Sequence, residues 1–479
     1  MKKLMLMILA AVLIAAAGTS CSQSSPESGS PSDVVTGSES TDAAQDLDDI
    51  YADSLAAQDF GGAPFRIAAR NEHWLYVIYD AQEENGELIN DAVYRRNRKI
   101  EERFNVKITQ DVLDDVAGTL QKNVNAGVDA YELYLPVDRE ALTYGANGAV
   151  YKISDIPNID LSKPYWSQTL NKSLTMGGEL YFAYGSFNLS VYDYTHVLLF
   201  NKQMITDLGA ESPYELVRSG NWTFEKYAEM AKQSVRDLDG NGAMDSNDQW
   251  GFYSLDKHVL PCFWIGAGVK SISKSAEDIP QYTLRDDEKF INVIEKIFEI
   301  TYDNNSRYPG ELPEEDTIRF IDGNTLFADS TFKGVGDLRS IETDFGIIPY
   351  PKFTAEQSDY YTRVEGGNPG VVPVTAENLQ MIGTVLESLN SESAKTVIPA
   401  YYDVTLKTKY ARDEQSAEML DLIFESRVYD LGDTYWCSIL RDGIFLTMYS
   451  KNDRSIISQL EKVEPKITAE IDKVVQALQ

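Results

Sequence analysis

The chain predicts an α/β protein built on parallel sheet and divided into more than one unit. Three observations carry this. Residues 65 to 135 alternate short apolar runs with helix-period stretches, a second alternation starts after Glu179, and 479 residues exceed one ordinary domain. At roughly 100 to 200 residues each, about two to four domains are expected.

Phe65 to Ala69 (FRIAA) reads as a short apolar strand, and after a polar loop Ile89, Val93, Ile100 and Phe104 fall near one face of a helix that Asn105 ends. Val106 to Thr109 is the next strand. Val112, Val116, Leu120 and Val124 mark a second helix, Gly127 closes it, and Tyr131 to Leu135 (YELYL) is a third strand. The order βαβαβ implies a parallel sheet with helices on its faces, because parallel neighbours need a crossover. Ligands bind such sheets outside the carboxyl ends of the strands. The loops after Ala69 and Leu135 therefore offer Arg70, Asn71 and Trp74, and Asp138 and Arg139, as candidate contacts.

In the second unit Tyr181 to Tyr184 and Val197 to Phe200 are strand-like, Thr223 caps a helix through Tyr227 and Ala231, and Phe290, Ile294 and Ile297 share a helical face. Further helices are expected at Ala376 to Leu389, with Thr375 as N-cap, and near Glu414 to Glu425. Ile456, Leu460, Val463, Ile467, Ile471, Val474 and Leu478 mark an amphipathic helix with a break at Pro465. About three heptads suit a helix packed on the body better than a coiled-coil dimer, so a monomer is expected.

Lys2 and Lys3 precede the uncharged apolar stretch Leu4 to Ala17, the pattern of a secretory signal over residues 1 to 20. Gly18, Thr19, Ser20 and Cys21 resemble a bacterial lipobox, with Gly18 where Leu is usual. Cys21 is then the lipidated residue, and the polar stretch after it, within 21 to 59, a flexible tether. No later run approaches eighteen apolar residues, so the expected membrane attachment is the lipid alone. Cys262 and Cys437 sit in aromatic runs, where buried thiols are favoured over a disulfide.

Forty-three Lys and Arg against 75 Asp and Glu leave a net charge of −32, which disfavours nucleic acid as a partner. His73, His196 and His258 lack metal-ligand spacing, and there is no GxSxG, P-loop or CxxC, so no catalytic residue is expected. The most specific motif is DLDGNGAMDSND, residues 237 to 248. Asp237, Asp239, Asn241, Asp245 and Asp248 stand at positions 1, 3, 5, 9 and 12 of an EF-hand-type loop, Gly242 holds position 6, and the Ala243 carbonyl position 7. Hard cations need such oxygen sets, and a structural Ca²⁺ is expected, with Asp248 a shorter arm than the usual Glu. Aromatic residues cluster in loops at Tyr165 and Trp166, Tyr192 and Tyr194, Trp264, Phe332, and Tyr435 and Trp436. Flat aromatic faces suit sugar rings, with Asp, Asn, Arg and Glu on the hydroxyls.

The segments NGELINDAVYRRNRKIEERFNVKI (85 to 108), DLSKPYWSQ (160 to 168), LLFNKQMITDLG (198 to 209), GNWTFEKYAEMAK (220 to 232), DQWGF and DFGIIPYPK (344 to 352) lie in this order behind a lipobox and tether. In that arrangement the chain resembles the extracellular solute-binding lipoproteins of ABC importers, of the sugar-binding type related to maltose-binding protein and common in Gram-positive anaerobes. The resemblance covers nearly all of residues 60 to 440. It implies a two-lobed periplasmic-binding-protein-like fold, an interlobe ligand cleft with a hinge, a sugar ligand and an ABC permease on separate chains. It also implies anchorage at the outer face of the cell membrane. Crossings are then expected near Phe182 to Gly185, after Lys352 and near Ala400, with lobe 1 at 60 to 182 plus 355 to 400, and lobe 2 at 183 to 354 plus 401 to 479. The cleft contacts expected are Arg70, Asn71, Trp74, Asp138 and Arg139 on one side and Trp264, Phe332 and Trp436 on the other, with Tyr192, Tyr194 and Glu365 beside the crossings. The alternative is a surface-anchored carbohydrate-active enzyme or adhesin, which catalysis would separate from a binding protein; a peptide or other small polar solute is a further option for the ligand.

Overall fold

The first sheet forms where short apolar runs alternate with helical stretches. The computed structural model describes residues 47–72, 75–308, 320, 322–338, 341–402 and 411–478. Strand β1 (Ala63–Arg70) is central, with β2 (Val106–Leu113) on one side and β3 (Leu133–Leu135) on the other. All three are parallel, and Ile67 stands opposite both Gln110 and Leu133. Helix α1 (Leu88–Phe104) buries Ile89, Val93, Ile100 and Phe104 and ends at Asn105, in the left-handed conformation that Asn tolerates. Helix α2 (Val116–Ala126) starts later than its apolar spacing suggests. Val112 belongs to β2, and the Asp115 carboxylate accepts the Gly118 N–H at 2.8 Å as a true N-cap. Helix α3 (Asp138–Ala146) follows β3 directly.

The second sheet is mixed. Strands β4 (His196–Asn201), β5 (Trp250–Tyr253), β6 (Thr325–Thr331) and β7 (Phe345–Ile348) lie in the order β5-β6-β4-β7, with β4 antiparallel to both neighbours and β5 parallel to β6. Helices α4 (Phe224–Gln233), α5 (Asp256–Gly266) and α6 (Glu288–Phe298) belong to this layer, and the Thr223 hydroxyl caps α4 through the Lys226 N–H.

Crossing segments tie the sheets together. Gly185 bridges to Trp166 and Thr195 to Val364; strand β8 (Thr362–Arg363) runs on until Val371 bridges to Tyr134 of β3. Residues just after Lys352 still lie on the second layer, since the Tyr360 hydroxyl donates to the Val217 carbonyl at 3.2 Å and Gln357 Nε2 to that of Gly266 at 2.8 Å. The return therefore falls at Thr362–Val371. Helix α7 (Leu379–Lys395) packs on α1, helix α8 (Glu414–Glu425) on β7, and strand β9 (Arg427–Val428) pairs with β8 in parallel. Helix α9 (Ile456–Leu478) packs on both α3 and α6, touching the two layers.

Four expectations need correction. Tyr181 to Tyr184 is not a strand: the Asn171 amide takes both backbone groups of Tyr184, at 2.7 and 3.0 Å, in place of a neighbouring strand. The helix expected from Ala376 starts at Leu379, capped by Asn378 rather than Thr375, and runs to Lys395. Helix α9 continues through Pro465; that residue and Glu461, whose carbonyl loses its helical donor, are both exposed to water. The tether ends earlier than residue 59. Asp53 receives both ends of the Arg103 guanidinium at 2.6 and 2.8 Å, and the Tyr51 carbonyl accepts from Ser391 at 2.6 Å. Residues 1–20, Cys21 and the tether up to residue 46 lie outside the described residues. Cys262 and Cys437 are free and buried, and no described helix is long and apolar enough to cross a membrane.

Candidate functional site

Side chains from both layers converge where β1 and β3 end. After β1, Arg70 Nε lies 3.6 Å from Glu72 Oε2. After β3, Asp138 opens α3, donates its backbone N–H to the Gly367 carbonyl at 3.0 Å and accepts the Tyr429 hydroxyl. Burial is the chief influence on Asp138 and pushes it up to about 6, against the Tyr429 and Arg139 hydrogen bonds. This close approach needs glycine on the crossing strand, since a Cβ on Gly366 would stand 2.8 Å from Asp138 Oδ2, and one on Gly367 would stand 2.7 Å from the Tyr184 hydroxyl.

Beyond β8, Glu365 reaches Arg441 at 3.4 Å and Arg363 at 3.7 Å. Arg363 is fully buried and grips Asp433 with Nε–Oδ2 2.6 Å and Nη2–Oδ1 3.0 Å, a bidentate pair. Behind Glu365 lie His196 and His258, which both contact Asp329 of β6 at 3.0 Å. Burial opposes the charge on Glu365, and His258 and Arg363 outweigh it, holding the carboxyl well below its usual range. Tyr194 is raised, first by burial and then by the charges of Glu72 and Glu365, with Arg70 opposing. The site thus sets Arg70 beside Glu72, and Arg363 and Arg441 beside Glu365 and Asp433, and is partly open to solvent at Glu365, Tyr194 and Arg70. Such groups can accept and donate to a polyhydroxylated solute.

Of the residues expected from sequence, the structure brings Arg70, Asp138, Tyr194 and Glu365 together, with Arg139 exposed beside Asp138. Asn71 is exposed and its amide holds Asp114 at 2.9 Å, bracing the ends of β1 and β2. Trp74 lies outside the described residues. The remaining aromatics are packed into the body. Trp264 is fully buried between Phe290 and Phe445 and donates to Asp430 at 3.0 Å; Phe332 is fully buried, and Trp436 is buried against Tyr435. Tyr192 is buried with Tyr401 and Phe424, its ring under the Arg427 guanidinium. Tyr165 and Trp166 are turned inward onto Glu387. Large aromatic area gains most from burial, which is why loop position alone misplaces these side chains.

Sequence reasoning missed Glu72, Arg363, Tyr429, Asp433 and Arg441. One signal was available for the group behind them: His196 opens β4 directly before the apolar run Val197–Phe200, Asp329 follows Leu326, Phe327 and Ala328 in β6, and a charge inside a buried strand must be paired.

The acidic loop has its own geometry. Ligand atoms of Asp237, Asp239 and Asp248 lie within 4.8 Å of one another. Gly240 and Gly242 adopt φ of 72° and 81°, which lets their N–H groups point at Asp237 at 2.7 and 2.8 Å. The Gly242 N–H, ahead of the loop's other contacts, holds Asp237 below the usual carboxylate range. Asn241 Oδ1 accepts from Ala243 N–H at 2.7 Å, and Asp245 Oδ1 from Asn247 N–H at 2.8 Å. Buried Asp248 accepts from Leu238 and Asp245 N–H at 2.9 and 2.7 Å. Three convergent carboxylates with a nearby amide oxygen fit a hard divalent cation.

Two shallow surface recesses of about 600 and 430 Å³ are lined at Tyr282–Glu288 and by residues from Asn292 to Ile456, and neither includes a residue of this candidate cluster.

No protein-family model matches the chain, and no curated protein matches it significantly. Solved structures do. An ABC substrate-binding protein from Listeria monocytogenes, in complex with cycloalternan, aligns over 86% of this chain and 99% of its own with TM-score 0.54 and 15% identity. The chain shares the fold of ABC-importer substrate-binding proteins. The maltose/maltodextrin-binding domain from Bdellovibrio bacteriovorus, bound to maltotriose, covers 85% of this chain and 100% of its own, at TM-score 0.51 and 13% identity. The GacH receptor of Streptomyces glaucescens, solved unliganded and with acarbose, covers 86% and 98%, at 0.54 and 11%. These neighbours are binding proteins and a receptor, and each is matched along almost its whole length.

Proposed function

We propose that this chain is a solute-binding protein that captures a mono- or oligosaccharide between its lobes and delivers it to an ABC permease. The observation that carries the reading is the convergence of Arg70, Asp138, Tyr194, Glu365 and Arg441 at the carboxyl ends of the first sheet's strands, in the fold that the sugar-complexed neighbours share. Residues 60 to 182 with the return from Thr362 through helix α7 form one lobe, and the second sheet with its helices, α8 included, forms the other. Ligand that contacts both lobes stabilises the closed state more than the open one, and this differential affinity moves the population. Closure then signals the loaded state to the permease.

The lipobox at Cys21 supports tethering of the mature protein to the outer face of a cell membrane. The loop Asp237, Asp239, Asn241, Ala243, Asp245 and Asp248 supports a structural Ca²⁺ that stiffens the second lobe without touching solute.

Isothermal titration against a panel of mono- and oligosaccharides, maltotriose and cycloalternan included, tests the reading. One sugar should bind with about micromolar affinity and be recovered intact. Recovery of cleaved sugar would show the carbohydrate-active enzyme instead, and no binding by any panel member would defeat the sugar assignment.

A further inference from the structure

His196 on β4 and His258 on α5 are buried edge to face, with ring centres 4.8 Å apart. Their Nδ1 atoms approach opposite oxygens of Asp329, each at 3.0 Å. On their other sides, His258 Nε2 lies 3.3 Å from Glu365 Oε2, and His196 Nε2 lies 2.9 Å from Arg363 Nη1 and 3.4 Å from the same Glu365 oxygen.

The partners dictate the protons. An ionised carboxylate only accepts and a guanidinium only donates. Both Nδ1 atoms therefore carry N–H toward Asp329 and His196 Nε2 accepts from Arg363, while His258 Nε2 faces the Glu365 carboxylate at 3.3 Å as a close charge contact, where an N–H is favoured over a bare lone pair. That is one proton more than two neutral imidazoles hold. Both carboxyls are ionised: burial opposes their charge, but the histidines, with Arg363 at Glu365, hold each well below its usual range. For His196, burial also opposes charge, and its charged surroundings, with Asp329 at 3.0 Å, outweigh it and raise the imidazole.

Around the pair, Asp329 also receives the Tyr350 hydroxyl at 2.6 Å and lies 3.8 Å from the Cys262 thiol. Glu365 faces Arg363 and Arg441, Asp433 pairs with both, and Arg441 also holds Asp442 at 2.8 Å. A proton held by the pair offsets part of the negative charge of Asp329 and Glu365 in a low-dielectric interior. Two imidazoles and a carboxylate are also a zinc donor set, and ligand atoms of His196, His258 and Glu365 lie within 4.8 Å. Arg363 argues against the metal, because it uses the His196 Nε2 lone pair and places a fixed positive charge beside it.

We propose that His196 and His258 are positioning residues for the candidate binding site: as a pair they hold one proton between Asp329 and Glu365 and so fix the Glu365 carboxylate toward Arg441 and Tyr194. The role in solute binding rests on the solute-binding reading; the proton does not. The His196 imidazole holds its proton more tightly in the folded protein than the ordinary value of about 6.5, so that stabilisation is complete below about pH 6.5 and is lost as pH rises through the folded value.

The test uses ligand-free, full-length protein with ¹⁵N-labelled histidine. The chain has three histidines, so His196→Gln and His258→Gln assign the pair. At about pH 7.5, above the ordinary imidazole value, wild type should show three protonated ring nitrogens in the pair and one bare acceptor. Two protonated and two bare nitrogens would overturn the proposal, and this wild-type result stands even if a variant fails to fold. Between about pH 6 and about pH 9, wild type should lose more melting temperature than the double variant; equal losses would count against it. One equivalent of zinc should leave the pair's resonances unmoved, and a stoichiometric shift would replace the proton with a metal.

Discussion

Asp193 and Asp138 are carboxyls for which burial outweighs every favourable contact. Asp193 accepts the Tyr76 N–H at 2.7 Å and the Tyr401 hydroxyl at 2.8 Å, yet burial pushes it up to about 7, as it pushes Asp138 up to about 6. A carboxyl raised in the folded state adds stability below its unfolded value of about 3.9, and that contribution disappears as pH rises through the folded value. Asp193→Asn should therefore gain about 2–4 kcal/mol over wild type at about pH 8 and little at about pH 4. Urea titrations at both pH values check this, and a gain of equal size at both would refute the burial account. At the site, Glu365→Ala leaves Arg441 and Arg363 without one of their anions. Loss of a hydrogen-bonded charge should weaken binding of a sugar found in the panel by about 10- to 100-fold, read by titration calorimetry.

At the scale of elements, two pins hold otherwise weak segments. Glu387, buried on α7, accepts the Tyr165 hydroxyl and the Trp166 indole N–H, the latter at 3.0 Å, and so locks the loop at 165–166 against the first lobe. Glu387→Ala strands two buried donors and opens a cavity, a loss of about 2–4 kcal/mol measurable by urea denaturation. Glu387→Gln, which retains an acceptor, should recover part of it. The acidic loop is the second pin. Its carboxylates repel one another unless a cation joins them, so a chelator should lower the melting temperature by several degrees, and Asp237→Ala should abolish the chelator effect. An unchanged melt in chelator, with no calcium by elemental analysis, removes the ion from the account.

For the whole molecule, the proposed solute capture makes the difference between open and closed lobes the quantity to measure. Helix α9 touches both layers, and the crossings at Gly185–Thr195 and Thr362–Val371 provide the links about which lobes could turn. Small-angle scattering with and without a bound sugar should show a reduced radius of gyration, because ligand between lobes favours closure. Tight binding with no compaction would place the solute elsewhere. Anchorage is tested separately by fatty-acid labelling of cells, in which Cys21→Ala should lose both the label and the membrane association.

Local patterns in the sequence determined much of the scaffold. The βαβ alternation located β1, β2, β3 and the helices between them, because apolar period and capping act over a few residues. It also placed Arg70 and Asp138 at the ends of β1 and β3, since strand ends follow from local pattern whatever the tertiary details. Tertiary structure decided the rest. Trp264 and Phe332 entered the core, Asn171 replaced a strand at Tyr184, and Arg363, Arg441 and Glu365 met across 78 residues of chain between the first two. Neither burial of an aromatic nor pairing of distant charges leaves a local trace. Each depends on which surfaces the completed fold brings together and removes from water.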